Sequence, residues 1–488
     1  MATNHQKLYI GGEWVQPATS NRMDVINATT EEVIGSVPDG SNADIDRAVA
    51  AARRAFTAGS WATATPAERG AALGRFADAL EKRGAELAKT VSMQNGMPIN
   101  VSEQLESAFV VGMLRYYGAL AAGLQNEESR PSPMGFTSLV RREPVGVVGA
   151  IVPWNFPVAL SIMKIGPALA AGCTIVLKPS PGTVLDSYIL AEAAQEANIP
   201  AGVLNWVPGG RELGAYLVSH PGVDKVAFTG STAAGRVIAA ECGKLLRPVS
   251  LELGGKSASI ILEDADLNAV LQAIPSASML NSGQACFSGT RVLVPKSRYK
   301  EIVDAYAATV SSFTVGDPLE HATVVGPMAS AIHRDRVNGY IAKGKTEAKL
   351  VAGGGKPAQS RGWFVQPTVF ADVANSAVIA QEEIFGPVLS LIQYENEDDA
   401  VRIANESEYG LGGSIWSTDR DRAAKLARRV ESGTVGINGY MPDMNAPFGG
   451  IKRSGVGREG GDWSFEFFCD VKDVVVPNKP FRASFSQR

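Results

Sequence analysis

The sequence is poor in cysteine and histidine, with four of each among 488 residues. The cysteines are far apart and form no Cys-x-x-Cys pair; they are Cys173, Cys242, Cys286 and Cys469. Few, unpaired cysteines in a long chain are typical of a reducing compartment, so we expect a cytoplasmic protein without a disulfide framework. The scattered histidines predict no metal site.

Surplus positive charge and long apolar runs are also lacking. The net charge of −4 and the pI of about 5.8 argue against a nucleic-acid partner, because such a surface needs concentrated positive charge. The N-terminal segment has no basic stretch followed by an apolar core, so no signal peptide is predicted. Prolines, glycines and a lysine interrupt the most apolar region, residues 145–177, so we expect no membrane span.

The length predicts two or three domains, because 488 residues exceed what one hydrophobic core holds. Helical spacing of apolar residues predicts an amphipathic helix over about 67–93 and a second helix over about 101–122. The stretch that follows is polar and then alternates, which indicates an extended excursion before the next region.

From residue 145 onward, short apolar strands alternate with helices, a rhythm that predicts a doubly wound parallel sheet. The predicted strands are 145–152, 174–178, 202–208, 223–230 and 248–253, with helices at about 160–171, 184–197, 211–219 and 232–243. The rhythm restarts after residue 254, with strands 257–262 and 291–295 and helices at about 267–280 and 299–312. Residues 449–461 are predicted to form an ordered loop, and 471–477 a strand without a local partner.

Cys286 follows a short glycine-containing turn, NSGQA (281–285), which comes after a helix-like run. Such a turn can leave a thiol facing a cleft, where it would serve as a nucleophile. The alternative is that Cys286 is simply a small buried hydrophobe, which is the usual role of a free cysteine.

Two strand ends are candidate phosphate or ribose contacts. Gly230 and Ser231 join a strand to a helix, where backbone N–H groups and the positive helix end can hold a pyrophosphate. Only Gly230 and Gly235 match the spacing of a dinucleotide-binding fingerprint, so an ordinary capped helix is an equally good interpretation. Lys178 ends a neighbouring strand and can reach a ligand there, or it is a solvated lysine.

Asn155 and Glu252 are the candidate oxyanion donor and general base. Two prolines fix the loop around Asn155, whose amide can donate to a developing oxyanion; a rigid turn is the alternative. Glu252 ends an apolar strand, where burial raises a carboxyl pKa toward the range of a general base; a salt-bridged structural glutamate is the alternative.

In this order, these segments resemble the aldehyde dehydrogenase superfamily. The matching motifs span most of the chain; they are PWNFP (153–157), KPS (178–180), FTGST (228–232), ELGGKS (252–257), GQAC (283–286), EEIFGPV (382–388) and PFGG (447–450).

The resemblance implies a role for each matched residue. Cys286 would attack the aldehyde, with the Asn155 amide and the Cys286 backbone N–H as the oxyanion hole. Hydride would pass from the thiohemiacetal to the nicotinamide, and Glu252 would activate water to hydrolyse the thioester. Lys164 corresponds to a family lysine near the site. Relatives that pass the acyl group to coenzyme A lack a glutamate at the position of Glu252, so its presence favours release of the free acid.

NAD is the implied cofactor. The matched contact positions are Val152, Pro153, Trp154, Lys178, Ser180, Gly230, Ser231, Leu253, Glu383 and Phe385. Lys178 would contact the adenosine ribose, and Glu383 would hold the nicotinamide ribose. Many NAD-preferring relatives have glutamate directly after KPS, whereas this chain has Pro181, so we expect NADP to be tolerated better than in those relatives.

The resemblance also implies the architecture. A doubly wound cofactor domain would comprise residues 1–121 and 144–254, and an α/β catalytic domain residues 255–463. A small β element, 122–143 and 464–488, would mediate assembly into a homodimer or homotetramer.

Phe287 and Ser288 follow the thiol, and the resemblance implies that the late loop before PFGG helps line the aldehyde tunnel. The residues in or beside that loop are Tyr440, Met441, Met444 and Phe448. Together these residues favour an apolar or aromatic aldehyde over a charged semialdehyde. Arg291 is close enough in sequence to complicate that preference. A non-enzymatic member of the fold, or a thiol-dependent hydrolase without redox chemistry, are the alternatives. The presence of Cys286, Glu252 and Asn155 argues against the first, and the pyrophosphate segment against the second.

Overall fold

The computed structural model describes residues 3–478, which form α/β layers around two large sheets. The predicted doubly wound sheet is confirmed. Its five central strands run parallel in the order Val249–Glu252, Lys225–Thr229, Val147–Ile151, Thr174–Lys178 and Leu204–Trp206. The chain order reverses between Val147–Ile151 and Lys225–Thr229, and such a switch point opens a ligand crevice at the carboxyl ends of the strands.

Antiparallel strands extend this sheet at both edges. Leu8–Ile10 and Glu13–Val15 form a hairpin on one edge, and Gly455–Val456 pairs with Val249–Glu252 on the other. The predicted loop 449–461 therefore contains a short strand, together with the 3₁₀ turn Lys452–Ser454.

Helices cover both faces of the sheet. They are Asn42–Ala58, Pro66–Glu81, Gly84–Asn95, Ile99–Ser102, Phe109–Gly123, Pro157–Ala171, Leu185–Glu196, Arg211–Ser219 and Thr232–Lys244, with a 3₁₀ turn at Ser60–Thr63. The prediction of one helix over 67–93 is wrong, because the chain breaks after Glu81 and restarts at Gly84. A Cβ at Gly84 would lie 2.5 Å from Ser107 Oγ, so this restart allows close packing. The helix predicted over 101–122 is interrupted by a π turn, Glu103–Ala108.

The second sheet has seven strands. Their order is Lys349–Ala352, Thr368–Ala371, Val388–Tyr394, Arg291–Pro295, Ala258–Ile261, Gly413–Trp416 and Gly436–Ile437, all parallel except the first pair. Its helices are Leu267–Gln272, Ile274–Ala277, Tyr299–Ser311, Ala331–Glu347, Val378–Gln381, Glu397–Asn405 and Arg420–Ala427, with 3₁₀ turns at Leu280–Gly283 and Lys296–Arg298. The helix Gly461–Glu466 packs instead against Pro157–Ala171 of the first sheet's layer. The helix predicted over 267–280 is wrong beyond Gln272, because Pro275 lacks an N–H and can only begin a new turn.

Two small sheets complete the fold. Thr3–Asn4, Val33–Pro38 and Arg22–Ile26 form one of them. In the other, Cys469–Pro477 pairs antiparallel with Phe136–Pro144, which also pairs with Glu127–Pro131. The strand predicted over 471–477 thus finds its partner far upstream in the sequence. Residues 479–488 of the predicted arm lie outside the described residues. No helix within residues 3–478 has the length and apolar character needed to cross a membrane.

Candidate active site

Three of the predicted site residues lie at the ends of neighbouring parallel strands. Glu252 is the last residue of its strand, Lys178 is the last residue of another, and Gly230 directly follows Lys225–Thr229. The loop that carries Asn155 follows Val147–Ile151, on the other side of the switch point. The sheet therefore brings residues far apart in sequence to one edge, as the strand pattern predicted.

The turn before Cys286 has an unusual backbone. Asn281, Ser282 and Gly283 have φ values of 48°, 59° and 78°, so three successive residues are left-handed. Gly283 is required there, because a Cβ would overlap the carbonyl of Gly386 in the EIFGP segment. The Ser282 hydroxyl donates to the carbonyl of Gly326 (3.1 Å) and accepts from its N–H (3.0 Å). These contacts compensate for a conformation that non-glycine residues adopt only at a cost.

The side chain of Asn155 lies against the thiol loop. Asn155 is 4% exposed, and its Nδ2 donates to the carbonyl of Gln284 at 2.9 Å. Gln284 precedes Cys286 by two residues, so this bond brings the amide close to the nucleophile. An amide nitrogen carries two N–H groups, and the carbonyl occupies one of them.

The double glycine after Glu252 lets three motifs meet. A Cβ on Gly254 would overlap the Glu383 carboxylate, and a Cβ on Gly255 would overlap the Cys286 carbonyl. The Gly255 N–H also donates to Glu383 Oε1 at 3.0 Å. The thiol, the strand of the candidate base and Glu383 are therefore packed against one glycine pair.

Glu252 has the environment expected of a general base. It is 3% exposed, and neither carboxylate oxygen has a hydrogen-bond partner among residues 3–478. Burial raises its pKa well above the usual value of 4.5, and the nearby charge of Glu459 raises it further, while Lys164 and Arg458 oppose the shift. A Cβ on Gly449 of the PFGG motif would overlap Oε1, so that glycine makes room for the carboxylate.

Lys164 belongs to a buried ion pair that the sequence analysis missed. Its Nζ donates to Glu459 Oε1 at 2.8 Å and to Thr229 Oγ1 at 2.6 Å. Backbone hydrogen bonds with Phe448 hold Glu459 in place. One signal was present in the sequence: a lysine in an apolar helix needs a counter-charge when buried, and Glu459 is the only acidic residue of 449–461.

The Cys286 thiol is partly exposed but lies in a largely apolar and anionic setting. Burial raises its pKa, and the charges of Glu383 and Glu252 raise it further. Both effects favour the protonated thiol over the thiolate. A positive charge brought close to it would favour the thiolate, which is the reactive form.

Two residues predicted to contact the cofactor, Lys178 and Ser231, lie at the end of a strand and at the start of a helix. Lys178 Nζ donates to the carbonyls of Pro179 (2.7 Å) and Gly209 (2.8 Å), and burial lowers its pKa to about 8. Ser231 caps helix Thr232–Lys244, with its hydroxyl accepting from Ala234 N–H at 3.3 Å.

The sheet itself uses several backbone donors at the predicted cofactor positions. Gly230 N–H donates to the Glu252 carbonyl, Val152 N–H to Lys178, and Leu253 N–H to Ser454. These three N–H groups are therefore not free for phosphate. Ser180 is partly exposed beside them.

An aromatic cluster lies beside the EIFGP segment (383–387). The ring of Trp154, which follows Pro153, lies 4.9 Å from that of His333 and 5.4 Å from that of Phe385. His333 Nε2 contacts the Phe385 carbonyl at 2.6 Å, and Arg336 donates to the Glu383 carbonyl at 2.7 Å. The sequence analysis missed His333 and Arg336, because nothing in their own helix marks them.

The residues after the thiol form an apolar wall. The Phe287 ring packs edge-on against Tyr440 at 5.0 Å and Phe448 at 6.2 Å. Met444 approaches Gly112, whose Cβ position lies 3.2 Å from the Met444 methyl. Ser288 is buried and Met441 is 47% exposed.

Arg291 does not contribute charge to this wall. Its buried guanidinium donates to three backbone carbonyls, those of Lys256, Ile403 and Ala404. The expectation that Arg291 complicates the preference for an apolar aldehyde therefore no longer applies, because its guanidinium is bonded to the backbone.

A parallel sheet with a ligand crevice at its strand ends is typical of nucleotide-dependent oxidoreductases, and similarity to known proteins identifies the family. The model of the aldehyde dehydrogenase family matches residues 14–474. The chain is 65% identical to geranial dehydrogenase of Castellaniella defragrans, over 98% of this chain and 100% of that protein. It is 42% identical to the putative aldehyde dehydrogenase DhaS of Bacillus subtilis, over 96% and 95%.

Solved structures agree. The Mycobacterium tuberculosis aldehyde dehydrogenase complexed with NAD+ superposes with a TM-score of 0.96 at 46% identity, covering 99% of this chain and 100% of that one. Aldehyde dehydrogenase C of Pseudomonas syringae, complexed with NAD+ and octanal, gives 0.93 at 39% identity, with 98% of both chains covered. The chain belongs to the aldehyde dehydrogenase family. It oxidises an aldehyde to the carboxylic acid with NAD(P)+, as predicted.

Proposed function

We propose that Cys286, Asn155 and Glu252 carry out this oxidation in two stages. In the first stage, the thiol proton passes to solvent water and the Cys286 sulfur bonds to the aldehyde carbon, while the π bond of the carbonyl opens. The carbonyl oxygen becomes an oxyanion that accepts from the free N–H of the Asn155 amide and from the Cys286 backbone N–H. The observation that carries this proposal is the bond from Asn155 Nδ2 to the Gln284 carbonyl, because it fixes the amide beside the thiol.

In the second stage, Glu252 acts as the base. After hydride loss, the acyl group is a thioester on Cys286. Glu252 takes a proton from water, the resulting hydroxide adds to the thioester carbon, and the C–S bond breaks to release the acid and the thiolate. Two properties support this role: the carboxylate is buried with no partner among the described residues, and its pKa is raised. Lys164 limits that rise through its charge.

The described residues fit NAD+, which supplies the hydride acceptor when bound. Glu383 would hold the nicotinamide ribose; burial raises its pKa to about 7. Lys178 and Ser180 would face the adenosine ribose, and Ser231 the pyrophosphate at the start of its helix. The remaining predicted contacts are Val152, Pro153, Trp154, Gly230, Leu253 and Phe385. Pro181 provides no carboxylate to repel a 2′-phosphate, which supports use of NADP as a second cofactor.

The substrate is an apolar aldehyde of medium length. The ring wall of Phe287, Tyr440 and Phe448 supports this choice, and Arg291 is fully engaged elsewhere. The names of two relatives, a geranial dehydrogenase and an octanal complex, point the same way. A panel of geranial, octanal, benzaldehyde and succinic semialdehyde tests this by kcat/KM. A preference for the semialdehyde would overturn the assignment.

We propose a cofactor domain of residues 1–121 and 144–254, a catalytic domain of 255–463, and an oligomerisation arm of 122–143 with 464–488. The two large sheets support this division, and Gly455–Val456 is the segment of 255–463 that pairs into the first sheet. The exposed valines of the last strand support self-association into a homodimer or homotetramer; they are Val471, Val474, Val475 and Val476. Light scattering of wild type and Val475→Lys tests it, and equal masses would contradict it. Four free cysteines support a cytoplasmic location, which cell fractionation checks.

Glu252→Gln tests the two-stage chemistry. It should leave a stoichiometric burst of NADH but slow steady-state turnover by about 100-fold or more, because a general base contributes roughly 10²–10⁴-fold. Cys286→Ala should abolish the burst, and Asn155→Ala should slow it. Unchanged turnover of Glu252→Gln would show that another group is the base.

A further inference from the structure

The backbone carbonyl of Asn155 accepts two side-chain amides. Asn281 Nδ2 donates to it at 2.9 Å, and Asn95 Nδ2 at 3.2 Å. Both asparagines are fully buried or nearly so. Two donors fill the two lone pairs of that carbonyl, so the backbone that carries the oxyanion amide is held from two different parts of the chain.

Asn281 also belongs to a closed ring of contacts around the nucleophile. Its own carbonyl accepts from Gln284 Nε2 at 3.2 Å, and Asn155 Nδ2 returns to the Gln284 carbonyl at 2.9 Å. Gln284 Oε1 is fixed in turn by Ala329 N–H at 3.0 Å. One loop therefore carries the thiol, receives the oxyanion amide and supports the backbone behind it.

The left-handed turn is what directs the Asn281 amide to this carbonyl. With φ at 48° and ψ at 49°, Asn281 is in a conformation that asparagine tolerates better than most residues. Ser282 has the same conformation, but its hydroxyl contacts Gly326 and not Asn155. The two residues share a left-handed backbone conformation, but the side chain of Asn281 bonds to Asn155 and that of Ser282 bonds to Gly326.

We propose that Asn281 is a positioning residue for the oxyanion hole, because its side-chain amide fixes the backbone of Asn155 relative to Cys286. This inference rests on the proposed role of Asn155. Without the bond, the Asn155 carbonyl keeps only the longer bond from Asn95. The amide of Asn155 then samples positions in which it does not meet the oxyanion, so formation of the thiohemiacetal and thioester slows, while cofactor binding does not change.

Asn281→Gly provides the test, because glycine keeps the left-handed backbone without strain and removes only the amide. Single-turnover NADH formation with octanal and saturating NAD+ should slow by about 10- to 100-fold, below the 10²–10³-fold loss expected when an oxyanion donor is deleted outright. The rate at which iodoacetamide alkylates Cys286, and the Kd for NAD+ from tryptophan fluorescence, should stay within about twofold. Ser282→Gly is the matched control, and it should form NADH within about threefold of wild type.

A double mutant distinguishes the positioning role of Asn281 from the proposed oxyanion role of Asn155. If Asn281 acts through Asn155, Asn281→Gly should slow NADH formation less than twofold in an Asn155→Ala background. An undiminished effect there, or an equal effect of Ser282→Gly, would overturn the positioning role. A normal burst rate for Asn155→Ala alone would instead overturn the oxyanion assignment. Asn281→Ala, which also lacks the amide, serves if the glycine variant does not fold; wild-type NADH formation by it would also refute the inference.

Discussion

Replacing Lys164 by methionine should destabilise the protein far more than the same change at another buried lysine. Lys164 is fully buried and forms an ion pair with Glu459 at 2.8 Å. Methionine fills similar space but leaves the Glu459 carboxylate buried without its cation. Breaking a buried pair in this way costs about 3–5 kcal/mol. For a domain of about 150–250 residues, that loss lowers the thermal unfolding midpoint by roughly 6–20 °C.

Lys225 is the matched control. It is 1% exposed, and it forms no ion pair with a carboxylate among residues 3–478. Burial lowers its pKa to about 8, and its Nζ lies 5.4 Å from the centre of the Phe468 ring. Lys225→Met removes a costly buried charge together with cation–π contacts to Phe467 and Phe468, each worth about 1–2 kcal/mol. Because the loss of these contacts is offset by the loss of the buried charge, we expect a midpoint within a few degrees of wild type.

Scanning calorimetry at one protein concentration measures these midpoints, since assembly makes them concentration-dependent. Adding Glu459→Gln to Lys164→Met should recover more than half of the loss, because the buried site is then neutral. Equal midpoints for Lys164→Met and Lys225→Met would refute the reasoning.

The same variant should change the pH dependence of turnover. Lys164 opposes the rise in the pKa of Glu252, so its removal raises that pKa further. A carboxyl with a raised pKa stays protonated to higher pH, and the rising limb of hydrolysis-limited kcat should move upward in pH. The raised pKa of Glu252 also makes the free energy of unfolding depend on pH. The folded protein holds the Glu252 proton more tightly than the unfolded chain, so the stability contribution of Glu252 falls as pH rises above 4.5.

Three further predictions test other parts of the site. Gly449→Ala should displace the Glu252 carboxylate and cause acyl-enzyme to accumulate in rapid-quench experiments. Gly439→Ala is the control, because Gly439 has a nearly identical φ and nothing described lies within 4 Å of its Cβ position. This control variant should not accumulate acyl-enzyme. Pro181→Glu should lower kcat/KM for NADP by about tenfold or more and leave NAD little changed, because like charges placed together cost several kcal/mol; equal losses would contradict this. Phe287→Ala should lower kcat/KM for octanal relative to acetaldehyde by about 10- to 200-fold, and an unchanged ratio would remove Phe287 from the substrate wall.

The parts of the site that follow strand ends could be predicted from the sequence. A parallel sheet puts the carboxyl ends of its strands on one edge, so Lys178, Gly230 and Glu252 had to lie near one another once the strands were recognised. The double glycine after Glu252 and the thiol turn also carried local signals. Local patterns placed these residues at strand ends and turns, and the order of the motifs along the chain, through the family resemblance, assigned their expected roles.

The missed parts depend on contacts across long sequence separations. Glu459 lies in a glycine-rich loop, and the residue that indicates its role, Lys164, lies 295 residues earlier. The left-handed conformation of Asn281 and Ser282 is stabilised by Gly326 and Asn155, neither of which is a neighbour in sequence. The break after Glu81 likewise depends on the packing of Gly84 against Ser107. Periodicity does not contain such information.

The pairing of Lys164 with Glu459 has a consequence for synthesis on the ribosome. The 295 residues between them take roughly 15–60 s to translate at about 5–20 residues per second. During that time, Lys164 lacks its ion-pair partner Glu459, and the strands Gly455–Val456 and Cys469–Pro477, which pair with earlier strands, do not yet exist. The first half of the chain therefore cannot mature as an independent unit while it is being made. We therefore expect its final folding to be post-translational, and a nascent chain halted before Glu459 should be sensitive to protease.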